Sequence, residues 1–242
     1  MQTANPDEYL KLVLPFVGRQ KESARLEHLH AQRKHALVLG PAGVGKTSLV
    51  NCLKDELGLL VSPQSEHLVA MCESLEAGLG LDVTGLKLPQ RKHRLLRALV
   101  AAKRTVVFDG VGWTTPKLSS FLEGVMERAP VWICTRSEHS WDIGHFWTWL
   151  VRFEKVELQP FHPAETRALV SATVEAGLIP REAVKIAEWL HHRSNGSPRV
   201  LRELFEELAA HEYDLSNPIA LRRLNLDRQI HEVFPLGGIR HE

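Results

Sequence analysis

Ala36-Leu37-Val38-Leu39-Gly40-Pro41-Ala42-Gly43-Val44-Gly45-Lys46-Thr47-Ser48 is the stretch that decides the fold, because an apolar run enters a glycine-rich turn and a Lys-Thr pair opens the next segment. Four apolar residues stopped by glycine read as a buried strand, and the pattern from Thr47 onward is that of an amphipathic helix. A loop containing Gly40, Gly43 and Gly45 lets backbone N–H groups turn inward with no Cβ in the way, which suits a polyanion. The helix leaving the loop aims its positive end at the same spot. Lys46 adds a mobile ammonium for β- and γ-phosphates, and the Thr47 hydroxyl suits Mg²⁺. The segment Gly40, Pro41, Ala42, Gly43, Val44, Gly45, Lys46, Thr47 and Ser48 is therefore the candidate phosphate-binding loop.

Outward from this loop, a magnesium ion needs a second, acidic anchor at the end of a neighbouring strand. Val106-Val107-Phe108-Asp109 supplies an apolar run ending in a carboxylate, a Walker B pattern; the plainer reading is an aspartate capping a turn. The next residues, Gly110, Val111, Gly112 and Trp113, include no acid to orient an attacking water, which leaves Gln64 or Glu66 as stand-ins for the base. Val131 to Arg136 reads as a core strand whose polar end, Thr135 and Arg136, emerges beside a γ-phosphate or is simply solvated. In Asn195-Gly196-Ser197-Pro198-Arg199, Ser197 can cap a helix with Pro198 at its first position. That places Arg199 either to reach back to a nucleotide or on the surface.

The pattern of short apolar runs alternating with helical stretches predicts an α/β fold, a parallel sheet covered by crossover helices. Strands are expected at 35–39, 58–61, 105–109, 131–135 and 153–158. Helices are expected at 20–32, 47–57, 65–79, 90–103 and 116–128. Gln159-Pro160-Phe161-His162-Pro163 then breaks the pattern, and the residues beyond read as helix. Ala183, Ile186, Ala187 and Leu190 share one face, as do Leu201, Leu204, Phe205 and Leu208. The expected organisation is an N-terminal extension at 1–14, a phosphate-loop α/β domain at 15–159, a small helical lid at 160–212, and a polar, weakly patterned tail at 213–242 left unassigned.

Bulk properties narrow the function classes. The 242 residues are 44% hydrophobic and 24% charged with a formal charge of +1, so no overall field steers the chain to nucleic acid or membrane. Cys52, Cys72 and Cys134 form no C-x-x-C pair, which argues against a disulfide framework or zinc site and for a reducing, cytoplasmic setting. The first 14 residues lack the basic start and apolar run of a secretory signal. No apolar run approaches the roughly 20 residues that span a bilayer.

Taken together, Phe16-Val17-Gly18-Arg19-Gln20-Lys21-Glu22, the glycine-rich loop, Val106 to Gly110, Thr135-Arg136, Leu158 to Phe161 and Gly196 to Arg199 resemble AAA+ ATPases. The nearest flavours are the origin-recognition-like and transposition-regulator-like ATPases and the STAND signalling ATPases, over residues 15–208. The resemblance implies a five-stranded sheet with a helical lid, ATP or ADP with Mg²⁺ as ligand, and adenine held near Phe16, Val17, Gly18 and Arg19. It implies Thr135 or Arg136 as a first sensor, Arg199 beside Pro198 as a second, and an arginine from a neighbouring subunit, for which Arg152 is a candidate. A nucleotide-dependent homo-oligomer is implied as well. Two departures stand out: no acid follows Asp109, and no winged-helix or repeat domain follows the lid. The expectation is therefore a slow ATPase acting as a switch, or a scaffold that holds the nucleotide without hydrolysis. ATP is favoured over GTP by likeness, with no Asn-Lys-x-Asp element in the chain.

Between Thr84 and Phe108 the chain carries seven Lys and Arg residues and no acid. On a helix, Leu95, Leu96, Leu99 and Val100 share one side while Arg91, Arg94, Arg97 and Arg104 gather opposite, a basic stripe for DNA or an acidic protein, or a solvated face. His28 with His30 and His191 with His192 lack the four-residue spacing of a metal pair. The tryptophans from Trp141 to Trp149 are as well explained by packing as by a subunit contact, and packing is the expectation.

Overall fold

The computed structural model describes residues 12–63, 65 and 67–233. The chain divides into two compact units, residues 19–159 and residues 12–18 with 160–233.

The first unit is built on a five-stranded, wholly parallel sheet. Its elements are α1 (Gln20–Ala31), β1 (Ala36–Leu39), α2 (Lys46–Lys54), β2 (Leu60–Ser62), α3 (Leu68–Gly78), α4 (Leu88–Ala102), β3 (Val106–Phe108), α5 (Pro116–Met126), β4 (Val131–Thr135), the short α6 (Ser140–Ile143), a 3-10 segment His145–Arg152 and β5 (Glu154–Glu157). The strand order is β2-β3-β4-β1-β5, so β1 lies between β4 and β5, with Leu39 opposite both Thr135 and Glu157. Strands buried on both faces are near-continuous apolar runs, as β1, β3 and the first four residues of β4 are, with Thr135 as the polar end of β4. Alternate residues feed opposite faces. Leu37, Phe108 and Ile133 pack with α3, α4 and α5, while Val38, Val107 and Trp132 pack with α1 and α2. Parallel strands all end at one edge, the edge where open α/β sheets take ligands.

The second unit has its own core. It holds α7 (Pro163–Glu175), a 3-10 segment Arg181–Ile186, α8 (Ala187–Ser194), α9 (Pro198–Ala210) and α10 (Pro218–Val233), with Leu12, Leu14 and Val17 against them. The patterned faces pack as expected, Leu201, Leu204, Phe205 and Leu208 meeting Ala183, Ile186 and Leu190. The stretch from Tyr213, unassigned from sequence, contains α10. Its Leu224 is fully buried, the Tyr213 hydroxyl donates to Asp227 at 2.9 Å, and Arg228 donates to Glu203 on α9 at 2.9 Å.

Two expectations on the sheet unit need correction. The basic stripe is not continuous. Arg91 makes a two-pronged contact with the buried Glu76, Nη2 donating to Oε2 at 2.5 Å and Nε to Oε1 at 3.1 Å, which clamps α4 to α3. Arg104 donates to the carbonyls of Gly58, Leu59 and Gly78, closing the end of α4 onto the entry to β2. Arg94 and Arg97 remain on the exposed face, and Val100, expected on the core side, joins them at 56% exposed. Leu95 and Leu99 alone fill that side of α4 completely. The tryptophan cluster likewise packs only in part: Trp149 lies against the core, while Trp141 is 70% and Trp147 49% exposed.

Candidate functional site

The apolar run 36–38 buries β1 in the middle of the sheet, and the chain leaves its end into the turn 40–45 before α2 begins at Lys46. Gly45, the residue before α2, has φ 101°, a region where a side chain is strained and glycine is not. Among the described residues, none accepts a hydrogen bond from the backbone N–H groups of Gly43, Val44, Gly45, Lys46 or Thr47. Five successive donors at a helix start form a concavity suited to an anion.

Lys46 lies over this turn, its Nζ donating to Gly40 O at 2.6 Å and Pro41 O at 2.9 Å. Burial holds its pKa below the ordinary lysine value and the Arg136 charge pushes the same way, with Cys134 and Asp109 opposing. Asp109 is buried at the end of β3, its N–H donating to Ser62 O on β2. The Thr47 hydroxyl donates to Asp109 Oδ2 at 2.6 Å across 62 residues of sequence. Octahedral Mg²⁺ with bonds of 2.0–2.1 Å sets neighbouring ligand oxygens about 2.9 Å apart, so a separation of a few tenths of an ångström more admits the ion. The donor chemistry, one hydroxyl and one carboxylate, also fits that ion, which keeps several waters of its own. Beneath the pair lies Cys134 of β4, whose thiol is raised well above its ordinary pKa by burial and then by the Asp109 charge.

The position after Asp109 explains the missing acid physically. Gly110 has φ +73°, and a Cβ there would meet no atom within 4 Å. Space is available, but the backbone conformation disfavours any side chain. The two stand-ins, Gln64 and Glu66, lie outside the described residues.

Thr135 is buried at the end of β4 with its hydroxyl donating to Ser137 O at 3.1 Å, and Arg136 is exposed next to it. Arg152 stacks its guanidinium over Trp149 at 4.6 Å. Arg19 is buried in the sheet unit, while Phe16, Val17 and Gly18 belong to the helical unit, where Gly18 sits beside Glu165. Pro198 opens α9 in that second unit, and Arg199 Nε donates to Glu203 Oε1 at 2.9 Å. The sheet unit thus gathers Arg19, residues 40–48, Asp109, Thr135 and Arg136, with Cys134 as a neighbour that the sequence did not single out. Its one signal was its place directly before Thr135, at the end of the apolar run of β4.

No family and no curated protein matches the sequence. Solved structures do match the fold. The ORC1 protein of Aeropyrum pernix, solved in complex with DNA, is 18% identical, with 94% of this chain and 69% of that chain covered and a TM-score of 0.66. Domain III of the replication initiation protein DnaA of Thermotoga maritima is 16% identical, with 92% and 98% covered and a TM-score of 0.58. A STAND protein of Pyrococcus horikoshii with a tetratricopeptide repeat sensor is 15% identical, with 88% of this chain but 32% of that one covered and a TM-score of 0.53. These neighbours are AAA+ P-loop ATPases, and the chain has their α/β fold with its five-stranded parallel sheet.

Proposed function

We propose that this protein is an ATP-binding switch, in which occupancy by ATP or ADP with Mg²⁺ sets affinity for a partner and ATP is hydrolysed slowly to ADP and phosphate. The observation that supports it is the 2.6 Å contact of Thr47 with Asp109 beside five amides that have no acceptor among the described residues. Gly43 to Thr47 would hold the phosphate chain, with Lys46 leaving its two carbonyls for the β- and γ-phosphates. Thr47 and Asp109 would hold Mg²⁺, which when bound supplies charge neutralisation along the phosphates. Thr135 and Arg136 at the neighbouring strand end are the groups offered to a γ-phosphate. Phe16, Val17, Gly18, Pro198 and Arg199 keep the adenine and second-sensor roles implied by resemblance, and the setting is cytoplasmic. Among the described residues, no helix is long and apolar enough to cross a membrane.

Gly110 favours a second reading, a scaffold that holds ATP without turnover, because its backbone admits no acidic residue without strain. Steady-state phosphate release, run with and without DNA, separates the two: turnover above the Lys46→Ala background supports the enzyme, and binding without turnover the scaffold. Failure of the parent protein to bind ATP in the presence of Mg²⁺ removes both.

For the partner, DNA or an acidic protein surface is offered Arg94 and Arg97, the two cations of the stripe left on its exposed face. DNA binding through them weakens steeply with salt and falls in an Arg94→Ala/Arg97→Ala pair. Light scattering with and without ATP tests nucleotide-dependent self-association.

A further inference from the structure

Arg19 opens the sheet unit, yet its side chain is only 4% exposed. Nη1 donates to Glu22 Oε1 at 3.1 Å on the first turn of α1. Nη2 donates to two backbone carbonyls from distant parts of the chain, Val44 at 3.0 Å and Gln159 at 2.7 Å. A single guanidinium therefore joins the start of α1, the phosphate loop and the segment just past β5. Its rigid fork allows this where a lysine, a point donor on a flexible stem, does not.

The contact with Val44 has a geometric consequence. A trans peptide unit is planar, and its C=O and N–H point to opposite sides. Val44 O and Gly45 N–H belong to the same unit, so a buried cation that holds the oxygen on one side fixes the amide on the other. Gly45 N–H is one of the loop donors with no acceptor among the described residues. We propose that Arg19 is a positioning residue for phosphate binding, which aims the Gly45 amide at the phosphate chain by holding the Val44 carbonyl and makes no contact with the base. This rests on the nucleotide reading above, and it replaces the adenine role that the resemblance implied for Arg19.

The test uses the full chain with Arg19→Lys and Arg19→Gln, titrated calorimetrically with ADP, inorganic tripolyphosphate and adenosine. Losing one charge-assisted hydrogen bond to the loop weakens ADP and tripolyphosphate about tenfold in both variants and leaves adenosine unchanged. The ³¹P resonance of the β-phosphate of bound ADP moves in the same variants, a signature that a general loss of stability does not produce. Variants that bind ADP and tripolyphosphate like the parent overturn the proposal, and so does an equal loss for adenosine. Should Arg19→Gln fail to fold, Arg19→Lys and Glu22→Gln, which loosens the Nη1 anchor, carry the test on the same criteria. A parent that binds neither ADP nor tripolyphosphate overturns the nucleotide reading itself, whereas a binding parent with unaffected variants overturns the positioning role alone.

Discussion

Lys46 places its ammonium on the carbonyls of Gly40 and Pro41, contacts that compete directly with a phosphate chain. A charge-assisted hydrogen bond contributes about 1.5–3 kcal/mol, so Lys46→Ala lowers ATP affinity by about 10- to 100-fold, measured by equilibrium dialysis. Asp109→Asn removes a negative charge from the proposed cation site: affinity for ATP measured with Mg²⁺ is expected to drop about tenfold, while that in EDTA stays level or rises. Gly110→Ala tests whether conformation or space excludes a side chain. With nothing within 4 Å, only the +73° φ opposes it, at about 1 kcal/mol of stability by urea denaturation. A loss of about 3 kcal/mol or more contradicts that account. The loop and Asp109 were legible in the sequence because each is contiguous: a strand, a turn and a polar end in a row. The role of Arg19 was not, since one of its contacts spans 140 residues and no local pattern records it.

Elements are held to one another by a few buried polar contacts. Thr114, fully buried after β3, donates to Ile143 O and accepts from Phe146 N–H, which fastens α6 and the 3-10 segment to the strand ends. Thr114→Val keeps the shape and orphans the Phe146 N–H, while Ile143 O keeps its bond from the Thr114 backbone amide, at a cost of about 1–3 kcal/mol in urea denaturation. His35 ties β1 to β4, its Nδ1 accepting from Val131 N–H at 3.0 Å, and this nitrogen must be unprotonated to do so. Burial, then Arg152, lowers its pKa below 6.5; burial, then Arg33, does the same for His30. Well above pH 6.5 both are neutral in either state and contribute no pH dependence. Below it the unfolded chain takes protons that the native state resists, so stability falls as pH drops from about 6.5 through the folded values. The urea midpoint is expected to be lower at about pH 5 than at about pH 7, with a flatter slope in His35→Gln. The helix α10 escaped the sequence reading because its apolar residues divide, Leu221 and Leu224 facing the core and Ile219, Leu226 and Ile230 facing solvent. Apolar residues on all sides leave no single face for periodicity to reveal.

At the scale of the whole molecule, each unit closes a core of its own, and ligand binding to the sheet unit stabilises it by mass action. At ATP concentrations about a hundredfold above Kd the gain is about 2.7 kcal/mol. Differential scanning fluorimetry with Mg²⁺-ATP is expected to raise the unfolding temperature of the parent and leave that of Lys46→Ala nearly unchanged at the same ligand concentration.

The sequence by itself determined the α/β class, the five strands and the glycine-rich turn after the first of them, because these follow from alternation, runs and turn chemistry within a dozen neighbouring residues. Only the tertiary structure decided which cations are engaged inside. Arg91 and Arg104 read like Arg94 and Arg97 along the chain, but Glu76 and three carbonyls from other elements claim the first two. It likewise decided that Thr47 meets Asp109 and that Arg19 holds the loop. Hydrogen bonding depends on distance in space, and a parallel sheet brings the ends of strands far apart in sequence to one edge.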